Sequence, residues 1–149
     1  MSYAFDANVL LYASDDASPL HRRAVEFLDR CASRAEIFYV AWPTVMAYLR
    51  IATHPAVFQS PLSPQEATRN VESLLNLPHA RFLGEEEGFW DAYRRATEGV
   101  PVRGNLVPDA HVAALLLQHG VRTFYTRDAD FRRFAFLDVR DPFRVAEGG

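Results

Sequence analysis

The stretch Leu106-Val107-Pro108-Asp109-Ala110-His111-Val112-Ala113-Ala114-Leu115-Leu116-Leu117-Gln118-His119-Gly120 decides the reading of the fold. Pro108 suits the first turn of a helix, and Gly120 suits the position just past its end. Between them the chain is apolar nearly all round, so the helix expected over residues 108–119 is buried on every side. Such a helix lies against a sheet. Directly after it come a strand-like run, residues 123–126, and the acid Asp128, while Asp109 stands within its own first turn.

Outward from this helix, apolar runs alternate with helical patterns along the whole chain, with no repeat or long linker. That alternation predicts an α/β protein, a three-layer α/β/α sandwich with a central, mostly parallel sheet. Residues 2–5 read as a first strand ending at Asp6. Ser18-Pro19 reads as a cap and first helical residue for a helix reaching about Ser33. Residues 37–40 form a second strand, and Pro43 opens a helix carrying Thr44, Ala47 and Arg50. Ser63-Pro64-Gln65-Glu66 is a capping-box pattern for a helix to Leu77. A strand over 81–83, a helix over 85–98 and a loop over 100–105 follow. Beyond the buried helix come the strand at 123–126, a turn with a short helix at 128–134, a last strand at 137–140, and a tail after Pro142 expected to fray.

With 149 residues, 49% of them hydrophobic, the chain suffices for one core and is short for two, so a single domain over residues 1–149 is expected. No apolar run reaches the length of a membrane span, and the first residues lack the pattern of a secretory signal; a soluble, cytoplasmic protein is expected. The lone cysteine, Cys31, reads as a small core residue. A net charge of -3 decides nothing about nucleic acid, but all 16 basic residues are arginine. Chemistry that requires a lysine ammonium is excluded, whereas arginine suits bidentate binding of phosphate.

Three acids fall at informative places. In a parallel sheet, Asp6 and Asp128 project from the same carboxyl edge, where open α/β folds bind their ligands, and Asp109 joins them from a helix N-terminus. Each alone has a structural reading: Asp6 as a helix cap, Asp109 as a favourable charge on a helix dipole, Asp128 as the start of an Asx turn. Together they would repel unless they took up protons or held a cation. An all-oxygen set without His or Cys suits a hard cation, Mg²⁺ or Mn²⁺, whose characteristic chemistry at such a site is phosphodiester hydrolysis. Arg50, Arg103 and Arg127, with Arg132 and Arg133 beyond, are candidates for contacts to substrate phosphates. Asn8 is placed to orient Asp6 or a metal-bound water, and His111 reads as a packing or surface residue.

Four blocks together resemble the PIN-domain ribonucleases, and within them the VapC toxins of bacterial toxin–antitoxin pairs. They are Asp6-Ala7-Asn8-Val9-Leu10-Leu11-Tyr12, Tyr48-Leu49-Arg50, Gly104-Asn105-Leu106-Val107-Pro108-Asp109-Ala110-His111, and Thr126-Arg127-Asp128-Ala129-Asp130-Phe131. The resemblance implies an endoribonuclease dependent on Mg²⁺ or Mn²⁺, a homodimer, and a cognate VapB-like antitoxin that silences it. Asp6 and Asp109 match the family's metal-binding aspartates, and Asp128 matches the acid after the fourth strand, with Asp130 a second candidate for that role.

One position departs from the pattern. The family usually carries a glutamate just before the aromatic-Leu-Arg stretch, and here that position is Ala47. Three explanations stand open: a natural subgroup that manages with three acids plus Asp130, a degenerate chain that binds RNA or antitoxin without cutting, or an engineered replacement. Thr44, one helical turn earlier, can hold a water in place of the lost carboxylate. Phosphotransferases of the haloacid dehalogenase type and response-regulator receivers also place an aspartate after their first strand, but both need a lysine that this chain lacks.

Overall fold

The computed structural model describes residues 2–144. Its centre is a five-stranded sheet in the order β3-β2-β1-β4-β5, built from β1 (Tyr3–Phe5), β2 (Phe38–Ala41), β3 (Ala80–Leu83), β4 (Thr123–Tyr125) and β5 (Asp138–Arg140). All four pairings are parallel, with Ala4 opposite Tyr39 on one side and Phe124 on the other. The expected sheet was mostly parallel; among the described residues it is wholly so. Chain order reverses at β1, because β2 and β3 add on one side and β4 and β5 on the other.

The helices form the two outer layers. Against one face lie α1 (Ala7–Ala13), α2 (His21–Ser33), α3 (Trp42–Ala52) and α4 (Pro64–Leu75), packed over Phe5, Phe38 and Val40. Against the other lie α5 (Phe89–Ala96) and α6 (Leu106–Gln118), where Ala110, Ala113, Leu115 and Leu116 meet Ala4 and Phe124. Alternate residues of each strand serve opposite faces, as the pleat requires. Cys31 is buried and accepts a hydrogen bond from the Tyr3 hydroxyl at 3.2 Å. Burial pushes its thiol up to about 11, which suits a core residue and not a reactive one.

Local chemistry explains where the elements differ from expectation. α6 begins at Leu106, two residues before Pro108, after Gly104 turns the chain at a φ of 57°. The proline then sits in the first turn, where its missing N–H has no partner to lose. The helix expected over 85–98 is shorter, because Gly88 takes a φ of 84° at the N-cap of α5. The acidic run before it is held as a loop by Gln118, which accepts from the Glu86 N–H at 3.2 Å and donates to the carbonyls of Glu86 and Glu87 at 3.1 Å. His111 also pairs with Glu85 across this junction.

Ser18 caps a turn by accepting from Leu20 N–H at 3.1 Å, and α2 starts only at His21. Ser63 accepts from Glu66 N–H at 3.1 Å, as the capping-box pattern requires, and α4 stops at Leu75, short of Leu77. Phe143 is not frayed but buried, with its ring 5.8 Å from that of Tyr12; the rest of the expected tail, residues 145–149, lies outside the described residues.

After β4 the chain makes a 3-10 helix, Ala129–Arg133, pinned by Phe131. That ring is fully buried, 4.8 Å from Phe124 and 6.2 Å from Phe134. Replacing it with alanine leaves a ring-sized cavity under the loop that carries Asp128 and Asp130. Phe131→Ala is expected to lower stability by about 3–5 kcal/mol, measured by urea unfolding; a loss below about 1 kcal/mol would show that the loop is not anchored there.

Candidate metal centre

The site lies at the carboxyl edge of the sheet where β1 and β4 are neighbours. Asp6 follows β1 directly and serves as N-cap of α1, its Oδ1 accepting from Ala7 N–H at 2.7 Å. Its backbone N–H continues the β1–β4 ladder to the Tyr125 carbonyl at 3.1 Å. The structural reading of Asp6 as a cap and its place in an acidic site therefore coexist.

Thr126, only 3% exposed, joins the two strand ends. Its hydroxyl donates to Asp6 Oδ2 at 2.8 Å and accepts from Asp128 N–H at 3.0 Å. Asp128 in turn accepts from Asp130 N–H at 2.9 Å, the Asx turn that opens the 3-10 helix. Thr126 opens the last of the four family-like blocks, but the sequence alone attaches no role to it. A hydroxyl residue at the buried end of a strand, two before an acid, was the available signal.

Asp109, Asp128 and Asp130 each place one carboxylate oxygen within 4.8 Å of the others. Asp128 and Asp130 had been alternatives for a single role, and the geometry brings both to Asp109. Asp6 adjoins this trio and is coupled to it through the charges of Asp109 and Asp128. Burial, followed by the charges of Asp128, Asp6 and Asp130, pushes the Asp109 carboxyl up to about 6. Asp6 is also raised, first by burial and also by Asp128, against the opposing hydrogen bonds from Thr126 and Ala7.

Carboxylates so close and so shifted form a pocket of strongly negative potential. The donor set is all oxygen, three carboxylates within reach of one ion, which fits a divalent hard cation such as Mg²⁺ or Mn²⁺.

The remaining expected residues divide. Asn8 is half-buried in the first turn of α1, two residues past Asp6. Arg103 is exposed in the loop leading into α6. Arg127 adjoins Asp128, and its Nε lies 3.9 Å from Asp141. Arg50 is exposed in the last turn of α3, about 9 Å further down the helix axis than Thr44 at 1.5 Å per residue. Ala47 is half-buried on α3. Thr44, in the first turn of α3, is 2% exposed, and its Oγ1 is the buried side-chain polar atom without a hydrogen-bond partner among the described residues. An orphaned hydroxyl of this kind costs about 1–3 kcal/mol.

A wholly parallel α/β/α sandwich with aspartates after its first and fourth strands and at a helix N-terminus defines a known class. The PIN-domain family model matches residues 3–137, and the chain belongs to that family. It is 44% identical over 143 residues to Ribonuclease VapC48 of Mycobacterium tuberculosis, covering 96% of this chain and 99% of that one. The fold also matches the structure of VapBC2 from Rickettsia felis bound to a promoter DNA fragment, with a TM-score of 0.68 at 13% identity over 95% of this chain and 98% of that one. A second match is VapC20 of Mycobacterium tuberculosis, described as a sarcin-ricin loop cleaving toxin, with a TM-score of 0.66 at 14% identity over 93% and 98%. The resemblance stated from the sequence is borne out at the level of family and fold.

Because the Asp109 carboxyl is raised from 3.8 to about 6 on folding, the folded chain binds the extra proton between these values. Stability conferred by that proton is full below the lower value and is lost as pH rises through the upper one. In chelator, Asp109→Asn is therefore expected to melt above the unsubstituted chain at about pH 7.5, with the gap closing towards about pH 4. Thermal melts across that range check this; a gap independent of pH would contradict the raised carboxyl.

Proposed function

We propose that the chain is an endoribonuclease of the VapC type that hydrolyses phosphodiester bonds in structured or single-stranded RNA with Mg²⁺ or Mn²⁺. The observation that carries this reading is the meeting of Asp109, Asp128 and Asp130 within 4.8 Å of one another beside Asp6, in a chain 44% identical to a protein named as a ribonuclease.

Asp109, Asp128 and Asp130 would hold the cation, with Asp6 completing the pocket from β1. A divalent cation bound there supplies Lewis acidity for attack on a phosphodiester. The chain's own part is to keep the carboxylates in place. Thr126 fixes the orientation of Asp6 and the course of the backbone at Asp128, and the Phe131 anchor prevents the 3-10 helix from carrying Asp130 away. Arg103 and Arg127, exposed shortly before Asp109 and Asp128 in the chain, are the groups we assign to RNA phosphates. Arg50, exposed further along α3, is the third arginine we assign to RNA phosphates.

The partner we assign is a VapB-like antitoxin. Support comes from the Rickettsia felis neighbour, whose structure is described as a VapBC complex. A homodimer belongs to the same reading, with exposed Trp42 and Met46 on α3 supplying apolar surface for a second copy. Among the described residues no helix is long and apolar enough to cross a membrane, and the cytoplasm is the compartment we assign to the activity.

Ala47 favours one second reading, a site that binds RNA or antitoxin without cutting. Purified chain incubated with RNA and Mn²⁺ separates the two. Cleavage is expected, abolished by chelator and reduced at least about a hundredfold by Asp6→Asn or Asp109→Asn, the upper end of what losing an outer-shell partner costs. Cleavage that persists in both variants would assign the activity to a contaminant. Absence of cleavage with recovery in Ala47→Glu would establish the non-cutting reading.

A further inference from the structure

Thr44 presents a buried hydroxyl with no partner, in a protein whose other buried side-chain polar atoms are satisfied among the described residues. Its position gives the hydroxyl a use. α3 packs on one face of the sheet through Val45, Tyr48 and Ala52, and α6 on the opposite face through Ala110, Ala113 and Leu116. The two helices nevertheless touch. Elements on opposite faces of a sheet can meet only beyond its edge, and both helices start at the carboxyl edge, α3 directly after β2 and α6 where Asp109 joins the strand ends. The topology assigns the contact to their first turns, which carry Thr44 and Asp109 respectively.

Thr44 and Ala47 are three residues apart on α3 and so share a helix face, with Thr44 one turn nearer the edge. A carboxylate at 47 would reach the site along that face. Alanine has no polar atom to offer, and on the side of this stripe towards the carboxyl edge Thr44 Oγ1 supplies one.

We propose that Thr44 is a positioning residue of the cation site: its hydroxyl hydrogen-bonds the hydration shell of the divalent ion held by the aspartates, in place of a carboxylate at position 47. The assignment rests on the metal-dependent reading above. A hydroxyl cannot neutralise charge as a carboxylate does, so it acts on the orientation of a water and not on the ion's charge balance. Outer-shell partners of this kind typically govern metal affinity by about ten- to a hundredfold.

Calorimetric titration of the purified chain with Mn²⁺ alone tests the proposal. Thr44→Val, which keeps the shape and removes the hydroxyl, is expected to weaken Mn²⁺ binding about tenfold. Thr44→Ser is expected to stay within about threefold of the unsubstituted chain. Thr44→Ala replaces the valine variant should that one fail to fold. Adding Ala47→Glu to Thr44→Val is expected to restore binding.

Melting in chelator supplies the control, since loss of an unpartnered hydroxyl leaves the metal-free protein as stable or more so. Unchanged Mn²⁺ affinity with a raised melting temperature in Thr44→Val would reduce the hydroxyl to a packing defect and overturn the assignment. Failure of the unsubstituted chain to bind Mn²⁺, or equal binding by Asp109→Asn, would instead remove the aspartate centre, and the role of Thr44 with it.

Discussion

Two segments 120 residues apart in the chain are locked together by one side chain, and the rest of the acidic site is arranged around that lock. Thr126 spends its proton on Asp6 and its lone pair on the Asp128 N–H. With the threonine itself buried, solvent competes little for either bond, and the pair resists independent sliding of the ends of β1 and β4. The strand order imposes this junction. With β1 in the middle and the chain adding strands first on one side and then on the other, the crevice between β1 and β4 is the natural place for a ligand.

What the junction collects is electrostatically unfavourable in isolation. Four aspartates reach it from three directions: from the end of β1, from the first turn of α6, and two from the loop after β4. Helix N-termini relieve part of the strain, since α1 starts at Asp6 and α6 carries Asp109 in its first turn. The remainder shows in the raised carboxyls of Asp6 and Asp109. The apolar scaffold on both faces keeps the acids in place despite their repulsion. The structural and chemical roles of a residue such as Asp6 are therefore not rivals, because the cap that fixes its rotamer is what keeps it near the other charges.

Much of this was legible in the sequence for identifiable reasons. The continuous apolar face of residues 110–117 demanded burial, and Gly120 marked its end; both were found as read. The alternation of strands and helices was enough for the sandwich because parallel strands require crossovers. Misreadings came where tertiary contacts outweigh local preference. Glu85, Glu86 and Glu87 look like a helix start favoured by the dipole, yet Gln118 and His111, more than twenty residues away, hold them as a loop. At the site, acids were visible because their spacing from strand ends is a local property. The union of Asp128 and Asp130 with Asp109 in one trio depends on the turn that the Asp128 side chain makes and on the depth of Phe131, neither of which periodicity reports. Thr126 went unassigned for a related reason: a threonine at the end of a strand is unremarkable until its hydroxyl is seen to face an acid from another strand.

The position of β1 also governs how the protein comes into being during synthesis. The half-sheet of β1, β2 and β3 with its four helices is made first, and until residues 123–125 emerge β1 has one unpaired edge. An exposed edge of this kind is sticky, so the nascent chain depends on β4 arriving to close it. The same ordering delays the chemistry, because Asp6 is translated more than a hundred residues before Asp128 and Asp130. Throughout that interval the growing polypeptide carries an aspartate without its companions, and the cation site comes into existence only when the sheet is complete.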